Sequence, residues 1–225
     1  MHMQKHWPAP EGHWVKIAVP SGNLSRTIVP AIKQIATEVL EAPGRDGLFA
    51  CGFLGNWMEV AFYLRDRRMI PRLVSEGTFD AGITGLDLVD ENNFPRKRIL
   101  GMFAKPVTQW FVAGPKGWWP PGYKKIRVGA ELHRVFAKKV LFRAGLYSYS
   151  LVPIEGFEEC AIADGLCDAI LVVVETGRAL RELGLEVPSS CPLLFESRPV
   201  LITKETVSLW TADALRALKD ALKLE

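Results

Sequence analysis

The sequence predicts an α/β fold of two lobes, with the second lobe inserted into the first and a central cleft between them. Short apolar segments alternate with segments whose apolar residues recur at helical spacing along the 225 residues, which is typical of alternating strands and helices. The pattern Gly-x-x-Asp-Ala occurs at residues 77–81 and 165–169, each time between a helix-like segment and an apolar strand. This recurrence favours two lobes of similar build, although so common a turn also recurs by chance.

The first lobe is predicted to follow a loose extension, residues 1–13, and to comprise residues 14–105 and 188–225. Residues 15–20 (VKIAVP) are a short apolar strand, and Ser25 is a favourable N-cap for a helix that continues to residue 40. The other predicted elements of this lobe are a hairpin or irregular strand pair at 41–60, a helix at 71–76, a strand and tight loop at 80–85, a helical turn at 86–91, strands at 99–103, 193–197 and 200–203, and an amphipathic helix at 211–224.

The second lobe is predicted to comprise residues 106–187. Its predicted elements are strands at 107–113, 126–129, 147–154 and 169–174, a helix at 132–144 that ends before Gly145, and a loop at 115–123 that exposes Trp118 and Trp119.

The apolar strand at 169–174 leads directly into Glu175-Thr176-Gly177-Arg178, which begins a helix. The first N–H groups of a helix lack intrahelical partners, and the helix dipole favours negative charge there. The sequence therefore predicts a phosphate-binding loop at this strand end, facing the cleft. The segment Ser21-Gly22-Asn23, which precedes the helix predicted at Ser25, is a second candidate of the same kind.

Composition and charge exclude several classes of function. A formal net charge of +3 is too small to indicate a nucleic-acid partner. No apolar run approaches the roughly 18 residues of a membrane span, and the N-terminus lacks the apolar core of a signal peptide. We therefore expect a cytoplasmic protein with no membrane or nucleic-acid partner. No His/Cys/Asp/Glu spacing indicates a protein-bound metal.

Three segments resemble the catalytic subunit of ATP phosphoribosyltransferase. They are residues 15–25 (VKIAVPSGNLS), 70–89 (IPRLVSEGTFDAGITGLDLV) and 156–185 (GFEECAIADGLCDAILVVVETGRALRELGL), and in order and spacing the resemblance covers nearly all of residues 14–203. The chain is similar to the short form of this family, which lacks a C-terminal regulatory domain. The resemblance implies a two-lobed, periplasmic-binding-protein-like (type II) fold, a homodimer, and a separate regulatory subunit that resembles histidyl-tRNA synthetase.

The resemblance also implies an activity. A pentosyltransferase of this family transfers the phosphoribosyl group of phosphoribosyl pyrophosphate (PRPP) to N1 of ATP and releases pyrophosphate, the first step of histidine biosynthesis. Such a reaction depends on positioning and charge stabilisation more than on a strong base, so no catalytic residue is assigned. Mg²⁺ would arrive with the substrate phosphates.

The residues that the resemblance places near the substrates fall into two groups. Those expected to hold the 5′-phosphate of PRPP are Glu175, Thr176, Gly177, Arg178, Ala179 and Leu180. Further expected substrate contacts are Ser21, Gly22, Asn23, Arg65, Arg67, Arg68, Thr84, Gly85 and Glu159. The three arginines would receive the triphosphate or pyrophosphate, and they are equally explained as a charged surface loop.

Several residues depart from the family pattern. Val172 stands where the family has an Asp that accepts hydrogen bonds from the ribose hydroxyls, and losing such a pair costs about 2–3 kcal/mol of binding. Ala179 replaces a threonine, Asn23 a basic residue and Met69 an aspartate. Residues 132–136 (LHRVF) replace a Tyr-Pro-x-Leu-Thr segment. These departures leave two alternatives open: a divergent family member with another acceptor or sugar phosphate, and a non-catalytic small-molecule-binding or regulatory module.

Overall fold

The computed structural model describes residues 14–39, 47–54, 58–118, 125–132, 134–154, 160–174, 178–189 and 191–225. The strands are β1 (Val15–Pro20), β2 (Glu38–Val39), β3 (Gly47–Leu54), β4 (Met58–Arg65), β5 (Ala81–Gly85), β6 (Ile99–Met102), β7 (Thr108–Pro115), β8 (Ile126–Ala130), β9 (Tyr149–Pro153), β10 (Ala169–Val173), β11 (Leu185–Glu186), β12 (Phe195–Ser197) and β13 (Pro199–Thr203). The helices are α1 (Ser25–Ile35), α2 (Ile70–Ser75), α3 (Leu86–Glu91), α4 (Phe136–Arg143), α5 (Cys160–Ala163), α6 (Arg178–Glu182) and α7 (Leu209–Ala221).

The chain divides into two compact units. Unit 1 contains Met1–Thr84, Pro95–Ala104 and Pro199–Glu225, and unit 2 contains Gly85–Phe94 and Lys105–Arg198. Each unit is organised around its own sheet, and helices cover the apolar faces of these sheets. An α/β fold with two sheets is the fold class that the sequence predicts.

Unit 1 contains a seven-stranded sheet in the order β2-β3-β4-β1-β5-β13-β6. Strand β1 runs parallel to β4 and to β5. Strands β3 and β4 pair antiparallel, so the hairpin predicted from the aromatic segment is confirmed. The core is built from buried strand residues and from apolar residues of α1 and α7, among them Ile28, Ile32, Leu215 and Leu218.

Unit 2 contains a sheet in the order β11-β7-β10-β8-β9, and β12 also pairs with β7. Strand β10 lies in the middle, antiparallel to β7 and parallel to β8. Because successive side chains of a strand point to opposite faces, Leu171 packs in the cluster that contains Phe136, whereas Ile170 and Val172 pack in the cluster that contains Leu180. Burial on both faces explains why β10 is wholly apolar in sequence.

The repeated Gly-x-x-Asp-Ala pattern performs the same task in both units. In unit 1 the Lys16 N–H donates to Asp80 Oδ2 at 2.9 Å, and the Asp80 N–H donates to the Lys16 carbonyl at 3.0 Å. In unit 2 Arg127 and Asp168 make the same two hydrogen bonds, both at 2.8 Å. Each aspartate thus joins the start of its own strand to the neighbouring parallel strand, which is a structural role.

The first helix differs from the prediction. It ends at Ile35 rather than residue 40, because the chain turns into β2, which pairs with β3. Its N-cap is Leu24, and the Ser25 hydroxyl instead donates to the Gly22 carbonyl at 2.6 Å. The positive φ of Gly22, 84°, allows the tight turn that brings this carbonyl within reach of Ser25.

The path of the chain between the units also differs from the predicted boundaries. The strand predicted at 193–197 was placed in the first lobe, but β12 pairs with β7 in the sheet of unit 2. Residues 85–94 likewise belong to unit 2, where Leu88 packs in the apolar cluster of that unit. Trp118, predicted to be exposed, is half-buried against the same cluster, whereas Trp119 lies outside the described residues.

Helix α4 begins later than the predicted residue 132. Its start is held by Glu91 of α3, whose carboxylate accepts hydrogen bonds from the Arg134, Val135 and Phe136 N–H groups at 3.0, 3.0 and 2.8 Å. A carboxylate at this position satisfies N–H groups that have no intrahelical partner and interacts favourably with the helix dipole.

Candidate functional site

Three of the predicted substrate-binding segments meet at one edge of the sheet in unit 1. Because β1, β4 and β5 are parallel neighbours, their carboxyl ends reach the same edge, where ligands of open α/β sheets bind. The Ser21 N–H donates to the Arg65 carbonyl at 2.8 Å. The Thr84 hydroxyl donates to the Arg67 carbonyl at 3.4 Å. The structure therefore brings together segments whose residues are up to 63 positions apart in sequence.

The loop after β1 uses several of its N–H groups internally. The N–H groups of Ser25 and Arg26 donate to the carbonyls of Gly22 and Asn23 at 3.1 and 3.2 Å, and the Thr27 N–H donates to the Leu24 carbonyl at 3.3 Å. The N–H groups of residues 25–27 therefore have acceptors within the loop itself. The side chains of Ser21 and Asn23 lie half-buried and exposed, respectively, at the end of β1.

The arginines at the end of β4 and just after it are held in different ways. The Arg65 guanidinium lies over the rings of Tyr63 and Phe79, at 5.5 and 5.1 Å from their centroids, and it donates to the Leu64 carbonyl at 2.6 Å. Arg68 pairs with Asp66 at 3.3 Å. These contacts fix the orientation of the segment, which a solvated charged loop does not require.

The pKa of Asp66 reports whether its ion pair with Arg68 forms. Burial raises the pKa of Asp66, but hydrogen bonds from the Arg68 N–H and guanidinium outweigh burial and bring the pKa below its usual value. Because the folded-state pKa is lowered, the interaction stabilises the fold above the unfolded-state pKa of about 3.9 and is lost as the pH falls through the folded-state pKa. We expect an NMR titration to show this low pKa.

Two variants make that titration specific. Arg68→Gln should raise the pKa of Asp66 toward the usual aspartate value of about 3.9. Arg72→Gln should leave it unchanged, because Arg72 pairs with Glu76 of its own helix turn. An Asp66 that titrates like an exposed carboxyl in the unsubstituted protein would show that this ion pair does not form in solution.

Thr84 and Gly85 end β5, and both have tightly packed surroundings. Thr84 is fully buried, so its hydroxyl positions the arginine segment. A Cβ at Gly85 would lie 2.2 Å from Asp87 Oδ1, so this position has no space for a side chain. Asp87 is itself buried and accepts a 2.6 Å hydrogen bond from the Ser197 hydroxyl. The sequence reasoning missed Asp87 and Ser197, whose contact spans 110 positions.

In unit 2 the described residues frame the predicted phosphate loop without including its centre. Strand β10 ends at Val173, and the Val174 N–H donates to the Gln109 carbonyl at 3.0 Å. Helix α6 begins at Arg178, which is exposed and pairs with Glu182 at 2.7 Å, while Leu180 is buried. Residues 175–177, the side chain of Ala179 and Glu159 lie outside the described part of the chain.

Val172, the residue that replaces the family aspartate, is built into the apolar interior. Its side chain is 7% exposed and packs in the cluster that contains Ile170 and Leu180, and it pairs across the sheet with Phe111. The position can make apolar contacts but can accept no hydrogen bond from a sugar hydroxyl.

The segment at 132–136, which replaces the family's Tyr-Pro-x-Leu-Thr, serves the core and the start of α4. Leu132 and Phe136 are buried in the main apolar cluster of unit 2, and Glu91 takes the N–H groups of residues 134–136. The residues that depart from the family pattern therefore lie where the N–H groups at the start of α4 already donate to the Glu91 carboxylate. His133 lies outside the described residues.

Neither a metal-ligand cluster nor a membrane-spanning helix occurs among the described residues. Among them, no group of three or more His, Cys, Asp or Glu side chains is arranged to hold a metal ion. No helix among them combines the length and apolar character needed to cross a membrane.

Comparisons with known proteins identify the family. The family model described as HisG, ATP phosphoribosyltransferase, matches residues 66–224. An ATP phosphoribosyltransferase from Clostridium botulinum (strain ATCC 19397 / Type A) is 30% identical over 175 residues, 77% of this chain and 81% of the relative. The enzyme of that name from Bacillus cereus (strain G9842) is 28% identical over 173 residues, 77% of this chain and 80% of the relative.

Solved structures agree on the fold. The chain is similar to a chain of the ATP phosphoribosyl transferase (HisG:HisZ) complex from Thermotoga maritima, with a TM-score of 0.74 and 20% identity over 93% of this chain and 96% of that chain. A Candida albicans protein described as having the generic periplasmic-binding-protein fold matches with a TM-score of 0.58 and 13% identity over 93% of this chain and 69% of that chain. The predicted periplasmic-binding-protein-like α/β fold is confirmed, and the chain belongs to the ATP phosphoribosyltransferase family.

Proposed function

We propose that the protein transfers the phosphoribosyl group of PRPP to N1 of ATP and releases pyrophosphate, the first step of histidine biosynthesis. The observation that carries this proposal is the family match across residues 66–224. Residues 70–89 and 156–185, on which the sequence resemblance depends, lie within that span. The chain also retains Glu175-Thr176-Gly177-Arg178 at the carboxyl end of β10.

In this proposal the adenine N1 forms a bond to ribose C1 as the bond from C1 to pyrophosphate breaks. Positive charge develops on the sugar and negative charge on the leaving pyrophosphate, so aligned donors and cations lower the barrier more than a strong base does. Residues 175–180 hold the 5′-phosphate through N–H groups and the Thr176 hydroxyl. The arginines after β4 receive the triphosphate or the pyrophosphate, and Mg²⁺ enters as part of the PRPP complex.

We further propose that the chain acts in the cytoplasm as a homodimer with a regulatory subunit. The Thermotoga maritima protein was solved as a complex of HisG with HisZ, and the resemblance to the short form of the family implies such a partner. Light scattering of the purified protein tests the homodimer. Co-purification with the HisZ-like protein of the same organism tests the regulatory subunit.

The direct test of function is release of pyrophosphate from PRPP and Mg²⁺, measured with and without ATP. ATP-dependent release together with micromolar PRPP binding by isothermal titration supports the proposal. The assay is repeated with a HisZ-like subunit, so that inactivity of the lone chain is not mistaken for a different chemistry. PRPP binding without ATP-dependent release in either condition would overturn the choice of ATP as acceptor.

Arg67 offers a test of the arginine segment. Arg67→Gln is expected to lower kcat/KM about 10- to 100-fold, because a charge-assisted contact to a phosphate is worth about 1.5–3 kcal/mol. The matched control is Arg72→Gln, which removes an exposed arginine five positions later that pairs with Glu76. Equal activities of the two variants would show that the segment is a charged surface loop.

Val172 offers a test of the sugar contact. Val172→Asp is expected to raise PRPP affinity about 30- to 100-fold, because a carboxylate would accept the ribose hydroxyls. The same change should lower the free energy of unfolding, since the side chain is 7% exposed among apolar neighbours.

The control for that test is Val172→Asn, which keeps the size of aspartate without its charge and should gain less affinity. Isothermal titration with PRPP and Mg²⁺ measures both variants, and thermal unfolding measures their stability. A folded Val172→Asp variant with unchanged PRPP affinity would contradict the assignment of this position to the ribose contact.

The second candidate function is a divergent family member with another acceptor or sugar phosphate, and Val172 is the observation that favours it. A buried valine removes the acidic ribose contact while the phosphate loop remains in the sequence. A non-catalytic binding module would not need to retain a phosphate-binding loop, so the loop favours an enzyme. Pyrophosphate release from PRPP with other nitrogenous acceptors, but not with ATP, would identify this alternative.

A further inference from the structure

A cavity of about 700 Å³ lies within unit 1, at the edge of the sheet where its parallel strands begin. Trp14 immediately precedes β1, Glu59 is the second residue of β4, and Asp80 immediately precedes β5. All three line the cavity, together with Lys204 and Trp210. The volume lies within the range of about 300–1,000 Å³ that is usual for small-molecule sites.

This cavity is separate from the edge that carries the candidate substrate residues. Ser21 follows the carboxyl end of β1, whereas Trp14 precedes its amino end. A six-residue strand is about 20 Å long, so the two sites lie at opposite ends of the same strands. The enzymatic proposal therefore leaves the cavity without a function.

Among the described residues that line the cavity, one carboxylate has no charged partner. Lys204 Nζ pairs with Asp80 Oδ1 at 2.5 Å, and the Lys16 N–H donates to Asp80 Oδ2 at 2.9 Å. Asp80 is thus neutralised by the protein. Glu59 is half-buried and makes no hydrogen bond or ion pair with the described residues. With Asp80 and Lys204 paired, Glu59 gives the described lining residues a net negative charge.

Two indole rings also line the cavity, as do Ser208 and Thr211. Trp14 and Trp210 are both half-buried, and Trp210 packs against the core of unit 1, which holds its ring in place. The face of an indole ring carries negative electrostatic potential and attracts cations, most strongly where water is partly excluded. Aromatic rings and a carboxylate that line the same cavity favour an ammonium ion over a metal ion, which requires several oxygen ligands.

We propose that this cavity is a binding site for an organic ammonium ion, whose charge is met by Glu59 and whose alkyl groups lie against Trp14 and Trp210. An anionic ligand would be repelled by Glu59. A neutral apolar ligand would bury Glu59 further without a counter-ion, which is unfavourable. An ammonium ion satisfies both features of the lining at once.

The test compares two ligands of the same shape by isothermal titration into the full chain. Choline carries a quaternary ammonium group, and 3,3-dimethylbutan-1-ol replaces its nitrogen with carbon and is neutral. Choline is expected to bind with a Kd on the order of 1 mM, about tenfold more tightly than the neutral alcohol, because cation–π and ion-pair contacts act on choline alone.

Substitutions locate the site. Glu59→Gln is expected to weaken choline binding about tenfold while preserving the size of the side chain. The matched control is Glu205→Gln, which makes the same charge change at an exposed position outside the cavity lining. This control should change the affinity by less than about twofold, because salt screens exposed charges at a distance.

Trp210→Leu, which keeps an apolar contact but removes the aromatic face, should also weaken choline binding, and circular dichroism verifies that it folds. Equal binding of choline and the neutral alcohol would overturn the proposal. So would choline affinity that is unchanged in Glu59→Gln, or no heat of binding with millimolar choline. Because choline binding is measured directly, these results are independent of phosphoribosyltransferase activity.

Discussion

Replacing Phe136 with alanine is expected to lower the free energy of unfolding by about 3–5 kcal/mol, the usual loss for a large aromatic residue truncated in a core. Phe136 is fully buried at the start of α4. Its ring packs edge-to-face against Trp110 and Phe195, with centroids 5.0 and 5.1 Å apart. The substitution therefore removes the side chain that joins α4 to β7 and β12.

The same helix supplies the matched control. Phe142 is 65% exposed, so Phe142→Ala makes an identical chemical change without opening a cavity and should shift stability by less than about 0.5 kcal/mol. Urea denaturation followed by circular dichroism measures both variants. Equal losses for the two variants would contradict the claim that packing around Phe136 stabilises unit 2, since alanine has the higher helix propensity at both positions.

Glu91→Ala is the second substitution with a large expected effect, a loss of about 2–3 kcal/mol in the free energy of unfolding. The carboxylate accepts hydrogen bonds from three consecutive N–H groups at the start of α4. Each hydrogen bond to a charged group contributes about 1.5–3 kcal/mol, and water replaces part of this at a half-buried position. Glu91→Gln keeps an acceptor oxygen but loses the charge, so its loss should be smaller.

Glu182→Ala controls for removal of a helical glutamate. Glu182 pairs with Arg178 four positions earlier on an exposed helix face, and such surface pairs contribute less than about 0.5 kcal/mol. Chemical denaturation of the three variants gives the comparison. If Glu91→Ala is no more destabilising than Glu182→Ala, the contacts of Glu91 with α4 do not stabilise the fold.

The elements that the sequence predicts well are those whose residues carry a local pattern. The apolar strand β10, the β3–β4 hairpin and the amphipathic helix α7 are visible in runs of neighbouring residues. The start of α4 is not, because its partner Glu91 lies more than 40 positions away. The pairing of β12 with β7 joins residues such as Gln109 and Glu196, which are 87 positions apart, so no local pattern indicates which sheet receives β12.

The same distinction applies to the site. The loop after β1 and the arginine segment at residues 65–68 could be located because each follows a strand-like segment in the sequence, and their role as substrate contacts stays a prediction. The hydrogen bond between Ser197 and Asp87 could not, since neither residue has a local signal and 110 positions separate them. The N–H groups at the start of α1 find acceptors in the preceding loop because the chain turns at Gly22. The sequence alone does not determine the geometry of this turn.

The position of β13 has a consequence for biosynthesis on the ribosome. This strand lies between β5 and β6 in the sheet of unit 1, yet it follows unit 2 in the chain. Domains generally fold as units while synthesis proceeds. Once Arg198 has emerged, nascent unit 2 has all of its strands, whereas β5 and β6 still await the strand that separates them. Unit 2, which begins after unit 1 in the chain, can therefore complete its fold before unit 1 does.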